Sequence, residues 1–516
     1  MLEVQNLTIM IGTRLIIKDL SFTLNKSDKL AIIGEEGNGK STLLKALLKM
    51  ADYAKVQGVV DLHNYKVGYL KQSLDAQELE LSGQDYLFSS KEDYYNKLNV
   101  FYKYLKMLEL KDDVLDVKMA NLSGGERIKV SILKLLIEDD DILFLDEPTN
   151  DLDLNTLYWL ESFINKITKP LIYVSHDETL LANTANMILH LEQIKNKSEP
   201  RHTLAKVDYD TYVSNRLNAL EKQLSLARFE KKEFVKKEKK LQQVMQKVEY
   251  QQRTITRKDP HGARLLKKKM HSLKAQEKRL NNWEIQEEPD IEESINLFFK
   301  PVEFPRSKVV LTLDLPVLKV ENKESDSVLA KDIFLEIVGP THLCIIGRNG
   351  AGKTTLLKQI YEKLKDRKDL KVGYMPQNYD VILGGYASAL EFLRKDASKN
   401  SITEARSLLG NLNFTKEEMA TNISYLSGGT KAKLLLAKLV QDEDNVLILD
   451  EPTRNVSPLS NPVIRKMLKD FQGTIISVSH DRKYINEVID NLYLLDKNGL
   501  KKIDKAKTGI FAAGVL

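Results

Sequence analysis

Two kinds of apolar patterning run along the chain. Short continuous apolar runs, as at Lys29–Ile33, 142–145 and 343–346, have the length of strands. A middle stretch is different. From 217 to 258 it contains no Pro or Gly and is dominated by strong helix formers. There apolar residues recur at three-four spacing: Leu217, Leu220, Leu224, then Leu241, Val244, Val248. A second segment carries Leu266, Met270, Leu273 and Leu280 in the same rhythm. Asp259-Pro260-His261-Gly262 interrupts the pattern, because Pro and Gly punctuate helices. The pattern predicts an antiparallel helical hairpin with its tip near 250–262. Its first arm, at 1.5 Å per residue, spans about 70 Å. After Trp283 an acidic stretch, 284–293 with Pro289 inside it, reads as a solvated connector. The purely apolar runs are far shorter than the ~20 residues a membrane span needs.

The strand-like segments belong to a long internal repeat. GEEGNGKS (34–41) recurs as GRNGAGKT (347–354) at an offset of 313. LSGGE (122–126) recurs as LSGGT, ILFLDEPT (142–149) as VLILDEPT, and VSHD (174–177) as VSHD, all at an offset of 304. The order is the same and the period far exceeds that of a solenoid, so one domain is present twice. The expected division is a first domain over 1–205, a helical linker over 206–295 and a second domain over 296–516.

Charge sharpens this division. The 516 residues carry a formal net charge of +5, which says little alone. Residues 212–282 hold 20 Lys and Arg against 7 Asp and Glu, a surplus of 13. The remainder is therefore acidic by 8. A basic helical hairpin is what RNA phosphates attract. The single cysteine, Cys344, excludes an intramolecular disulfide and a multi-cysteine zinc site. It reads as a buried structural thiol. The N-terminus lacks the basic-then-apolar pattern of a secretory signal, and a cytoplasmic protein is expected.

The repeated motifs carry phosphate chemistry. GxxxxGK[ST] follows a strand-like run and precedes a helix-like one in both copies, the context of a phosphate-binding loop. Gly34, Gly37, Gly39 and Gly347, Gly350, Gly352 let backbone N–H groups converge on phosphate oxygens, with the helix N-terminus adding positive potential. Lys40 and Lys353 are expected on the β/γ phosphates, Ser41 and Thr354 on Mg²⁺, with Thr42 and Thr355 beside them. Asp146 and Asp450, at strand ends, are placed to hold Mg²⁺; Glu147 and Glu451 to orient and deprotonate the attacking water.

Phosphate loop, LSGG and DE pair in this order resemble the ATP-binding-cassette family. The fold implied is α/β, two tandem P-loop ATPase domains joined by an antiparallel helical hairpin. The resemblance implies that Ser123, Gly124, Gly125 and Ser427, Gly428, Gly429 bind the γ-phosphate of an ATP held by the opposite copy. The two copies then close head-to-tail over two ATPs in a monomer. It also assigns Gln72 (GYLKQS) and Gln377 (GYMPQN) to Mg²⁺ and the water, and His176 and His480 to the γ-phosphate.

Two cassettes without a membrane span, around a basic helical linker, resemble the ABC-F subfamily. DEPTNDLD (146–153) fits its pattern, with Asp151 in place of His. Membership implies an ATPase that binds the ribosome at the tRNA exit site, touching large-subunit rRNA and P-site tRNA, with no membrane and no DNA partner. The linker tip would point to the peptidyl-transferase centre; its candidate residues are Tyr250, Arg253, Ile255, Arg257, Lys258 and His261. DEPTRNVSPLSNPVIR (450–465) resembles the antibiotic-resistance, ribosome-protection members of Gram-positive bacteria. The spacing from Gln72 to the first signature, matched in the second copy, implies that the arm other ABC-F factors insert there is absent. An ABC-F housekeeping factor acting on stalled ribosomes shares every site residue and is the alternative. A transporter subunit or a DNA-repair cassette leaves the basic hairpin without a role. Two departures stand out. No aromatic occupies the place near Ile11, or anywhere between Val310 and Lys331, where the family stacks adenine, so loose base recognition is expected. The second D-loop, Asn455-Val456-Ser457-Pro458, lacks the usual Asp, which sets the two sites apart, although both glutamates are present and both sites are expected to hydrolyse.

Overall fold

A computed structural model describes residues 2–150, 152–255, 260–283, 289, 297–301, 304–320 and 327–505. Asp151, Arg257, Lys258 and most of the acidic connector lie outside the described residues. The chain forms two units: Met1–Tyr209 with Glu292–Leu516, and Asp210–Ile291.

The first unit holds two α/β lobes of the same topology. In the first, the sheet order is Val67–Leu70, Ile142–Asp146, Leu171–Val174, Lys29–Ile33, Met187–Gln193, Glu199–Ala205. Its first five strands are parallel and the last pairs antiparallel. In the second, the order is Val372–Met375, Val446–Asp450, Thr474–Val478, His342–Ile346, Asn491–Asp496, Gly499–Ile503. Every residue of Ile142–Asp146 and Leu171–Val174 is buried, as the continuous apolar run of a two-sided parallel strand requires. Parallel strands deliver all their carboxyl ends to one edge, where α/β sheets bind ligands. An antiparallel sheet accompanies each lobe: Leu2–Ile11 between Arg14–Leu24 and Lys55–Asp61 in the first, Val309–Val320 with Ser327–Val338 in the second.

The repeat extends to a buried carboxylate that no motif announces. Asp140 lies against Gly68, and Asp444 against Gly373, so closely that a Cβ on either glycine would sit 2.4 or 2.3 Å from a carboxylate oxygen. Burial pushes Asp140 up to about 6 and Asp444 up to about 7. A carboxyl raised in the folded state and ordinary in the unfolded one burdens the fold where it must ionise. The burden is absent below the unfolded value of 3.8 and complete above about 7. Asp444→Asn is therefore expected to raise the thermal midpoint at pH 8 by more than at pH 5. An equal shift at both would refute the burial of a charge here.

The two lobes meet through charges, of which Arg465, Glu178 and Arg482 are buried and Lys483, Glu161 and Asp177 partly so. Arg465 pairs with Glu178 of the other lobe, their side chains 3% and 5% exposed. Lys483 reaches Glu178 at 3.2 Å, and Arg482 bonds Glu161 at 2.7 Å and Asp177 at 3.3 Å. Removing one member of a buried pair strands the other. Arg465→Ala should cost roughly 3 kcal/mol in denaturant unfolding, and Arg465→Met with Glu178→Met should recover most of it. A double variant no more stable than the single one would remove the stranded charge as the cause.

The second unit is a hairpin of unequal arms. Its first helix runs Tyr209–Thr254 over 46 residues, about 69 Å. The second, Pro260–Asn281, has 22 residues, about 33 Å. Pro260 opens this helix, a position where a missing N–H costs nothing, so His261 and Gly262, which the sequence pattern assigns to the break, are helical. Val248, Met270 and Leu273 form a small core with Leu241, Val244 and Leu266 packed on it. Phe234 meets Trp283 edge-on at 6.4 Å, and Lys237 Nζ stands 4.1 Å above the same indole. These pairings fix the arms as antiparallel. Leu217 does not join the stripe: it is 55% exposed, because the shorter arm pairs only with the distal half of the longer one. Tyr250 and Arg253 are exposed near the end of the first helix, and Ile255 follows it.

Candidate functional site

Each phosphate loop is a run of left-handed turns that only glycine takes without strain. Gly37 and Gly39 have φ of 85° and 87°, Gly350 and Gly352 of 79° and 96°. Gly39 and Gly352 cap the helices Lys40–Leu47 and Lys353–Leu364, whose first turns carry Ser41, Thr42 and Thr354, Thr355. Lys40 Nζ donates to the Gly34 and Glu35 carbonyls at 2.9 and 3.0 Å, and Lys353 Nζ to Gly347 and Arg348 at the same distances. Both lysines are thus curled within their loops, where phosphate oxygens compete with carbonyls for the ammonium.

At the strand end beside the first loop, Asp146 accepts from Ser41 Oγ at 2.9 Å and from Tyr69 OH at 3.1 Å. Glu147, at φ 49°, accepts from Gln72 Nε2 at 2.8 Å and Asn150 Nδ2 at 2.6 Å. His176 Nε2 stands 3.6 Å from it. Burial pushes Glu147 up, but the His176 ring, the Lys40 charge and the Asn150 bond outweigh it and hold the carboxyl at about 2.

The second copy places the same residues alike and surrounds them differently. Glu451 is also left-handed, at φ 54°; its carboxylate accepts the His480 backbone N–H at 3.2 Å and stands 3.7 Å from His480 Nε2. Burial and the Asp450 charge push it up to about 8. Burial and Lys353 hold the His480 ring down near 3. Both Asp450 oxygens are buried without a hydrogen-bond partner among the described residues, beside the cavity that Asp450, Thr354 and Gln377 line. Two orphaned carboxylate oxygens beside a hydroxyl and an amide form a donor set that fits Mg²⁺. Ser41, Asp146 and Gln72 offer the same donor types in the first copy.

Each set is completed from the other lobe. Gly124 and Arg127 of the first lobe line a cavity of about 620 Å³ with Gly350, Lys353, Thr354 and Glu451 of the second. Ser123 caps the helix Gly124–Ile137 in a capping box with Glu126, and Gly125 packs against Thr156. In the reverse pairing, Ser427 caps Gly428–Asp442, and the Gly429 N–H donates to Glu36 of the first phosphate loop. Glu35 beside it pairs with buried Lys433 at 3.0 Å and accepts from Ser460. The divergent second D-loop contacts the other lobe through its backbone: the Val456 carbonyl lies 2.9 Å from His176 Nδ1. His480 Nδ1 is buried without a hydrogen-bond partner among the described residues. Glu35, Glu36, Arg127, Asn150 and Lys433 escape a motif search. The acid pair does distinguish GEEGNGKS from GRNGAGKT, but nothing in that difference points to its partners in the far copy.

The ABC transporter family model matches residues 17–150 and 330–454, which together make up half of the chain. This chain belongs to the ATP-binding-cassette family. Its cassettes make it an ATPase. ATP-binding protein Uup of Buchnera aphidicola subsp. Acyrthosiphon pisum (strain APS) is 28% identical over 97% of this chain and 81% of its own length. Probable ATP-binding protein YheS of Escherichia coli (strain K12) is 26% identical over 98% and 80%. ABC transporter F family member 5 of Arabidopsis thaliana is 25% identical over 92% and 72%. With these relatives it groups as an ABC-F ATPase. Among solved structures, archaeal ribosome recycling factor aABCE1 in complex with ribosomal stalk protein aP1 shares the fold at TM-score 0.59, 17% identity, 99% of this chain and 92% of that one. RNase-L Inhibitor does so at 0.58, 18%, 99% and 93%.

The cassette signatures leave no slack for side chains. A Cβ on Gly429 would lie 2.6 Å from the Asn455 carbonyl, which is backbone. On Gly428 it would meet the Asn455 amide end at 2.9 Å, which can swing away. Gly429→Ala should therefore lower ATP turnover by up to about a hundredfold, the cost of misplacing a donor by an ångström, and Gly428→Ala by much less. Equal losses in steady-state assays would sink this distinction.

Proposed function

We propose that the chain is a ribosome-binding ABC-F ATPase that holds two ATP molecules with Mg²⁺, one on each phosphate loop and the opposite signature. The carrying observation is the reciprocal pairing just described, Gly124 with the Lys353 loop and Gly429 with the Lys40 loop. A phosphate bound in one cassette then bonds to the other, so ATP closes the pair. Lys40 and Lys353 leave their carbonyls for β/γ oxygens, and the signature N-termini add N–H groups to the γ-phosphate. Ser41, Asp146, Gln72 and Thr354, Asp450, Gln377 would hold Mg²⁺, which spreads the charge building between β- and γ-oxygens. Glu147 and Glu451 take the proton of the attacking water; His176 and His480 hold the γ-phosphate. Hydrolysis loosens the closure and releases the protein from its site.

The ribosome as partner is supported by the basic hairpin, with 13 surplus positive charges, and by likeness to a ribosome recycling factor. No helix among the described residues is long and apolar enough to cross a membrane. We place the work at the tRNA exit site in the cytoplasm, with Tyr250, Arg253, Ile255, Arg257, Lys258 and His261 at the tip. Within this reading the stretch 450–465 supports antibiotic resistance by ribosome protection. The alternative is an ABC-F housekeeping factor acting on stalled ribosomes, which shares every site residue.

Glu147→Gln with Glu451→Gln is expected to lower hydrolysis by about 10²–10⁴-fold and to hold the protein on sedimenting 70S ribosomes in ATP. Recovery with ribosomes no greater than wild type would overturn the ribosomal reading. A deletion strain more susceptible to pleuromutilins, lincosamides, streptogramin A or phenicols marks protection. Unchanged susceptibility with slowed recovery from stalling marks the housekeeping role.

A further inference from the structure

The sequence offers no aromatic where the family stacks adenine, but the fold brings one in from the opposite cassette. A second cavity, about 1010 Å³, opens on the first phosphate loop at Gly37 and Asn38. Its walls include Arg14 from the start of the strand Arg14–Leu24 and, from the second cassette, Phe414, Tyr425 and Ser427. The cavity thus begins where phosphates would bind and continues past the signature serine into space large enough for a base and ribose. Tyr425 is 83% exposed, the highest value among the exposed large hydrophobic side chains described. Its backbone is nonetheless fixed. Ile423 and Leu426 on either side are buried, Asn422 caps the short turn Ile423–Tyr425, and the Leu426 N–H closes it on Ile423. A ring left in water on a fixed stretch of backbone, in a cavity that an exposed guanidinium also lines, offers two groups on which a nucleobase can stack.

The geometry points to Tyr425 as the base platform of the first ATP site, supplied in trans, with Arg14 lining the same cavity. The inference rests on the first phosphate loop binding ATP as proposed above. It also predicts unequal sites. Asn121 takes Tyr425's place in the first cassette, at the 304-residue offset. The walls of the other cavity there are Val320 and Leu329, with no Phe, Tyr or Trp among its described lining residues. The first site should select among bases by stacking and the second should be tolerant.

The test uses the full chain carrying Lys353→Ala, so that binding reports the first site, with Mg²⁺ and ATP, CTP or inorganic tripolyphosphate as titrants in calorimetry. Tyr425→Ala should weaken ATP about tenfold and CTP less, leave tripolyphosphate unchanged, and be matched to wild type by Tyr425→Phe. In the Lys40→Ala chain, where binding reports the second site, Tyr425→Ala should change nothing; this arm also verifies folding. An unchanged ATP affinity, an equal loss for ATP and tripolyphosphate, or a loss at the second site would overturn the assignment to the base. If Lys353→Ala chains with Tyr425 intact bind neither ATP nor tripolyphosphate, it is the first ATP site itself that fails.

Discussion

A helix that begins in the open presents N–H groups and a positive dipole end, and it needs an anion. Two such helices, Gly124–Ile137 and Gly428–Asp442, set the terms for the whole two-lobed unit. The first meets part of the need itself, through the Glu126 capping box. The second has Thr430 at the matching place and no acid in its first turn. Its anion comes from the other lobe, as the Glu36 carboxylate on the Gly429 N–H. A helix whose partner lies 393 residues away in sequence ties lobe position to anion position. A nucleotide phosphate arriving on the same loop competes for the same N–H groups. Binding and closure are therefore one equilibrium, shifted by whatever free energy separates the phosphate from the carboxylate.

The repeated motifs made much of this legible. Glycine spacing fixes where the backbone turns left-handed, and the apolar run before Asp146 fixes a buried strand, because both depend on neighbours close in sequence. The hairpin was legible for the same reason, since three-four spacing is local. Its unequal arms were not: Leu217 fits the stripe, and only the length of the partner helix decides that it faces water. Nor were Glu35 and Glu36, whose partners Lys433, Ser460 and Gly429 come from the far copy. The motif GxxxxGK[ST] leaves their positions free, so the pattern that finds the loop is blind to its charge. Tyr425 is hidden in the same way, one residue outside LSGG.

The same limit applies to the chemistry. Glu147 and Glu451 stand in identical DEPT motifs with nearly the same φ, yet one is held low and the other high. The difference comes from what surrounds them. Asn150 donates to Glu147, while its counterpart at the 304 offset is Arg454. His176 is oriented by a carbonyl from the divergent second D-loop, so the loop that lost its Asp still acts on the first site, through backbone that no substitution pattern reveals. Among the described residues His480 has no such partner at Nδ1.

These asymmetries share one origin. Every trans contact to the first site comes from the second cassette, which differs from the first at the residues that make those contacts: Tyr425 ahead of the signature where the first has Asn121, Thr430 after it where the first has Glu126, and Val456 in the D-loop where the first has Leu152. Duplicated domains begin with equivalent sites, and a substitution in one copy changes the opposite site as much as its own. Divergence of the second copy therefore remodels the first site, whose own loop carries the compensating Glu35 and Glu36. The cross-lobe pair Arg465–Glu178 fits the same logic, since Arg465 lies in the divergent stretch 450–465 and its partner in the first lobe. The unusual residues of the two copies are best understood as pairs across the interface, each explaining the other.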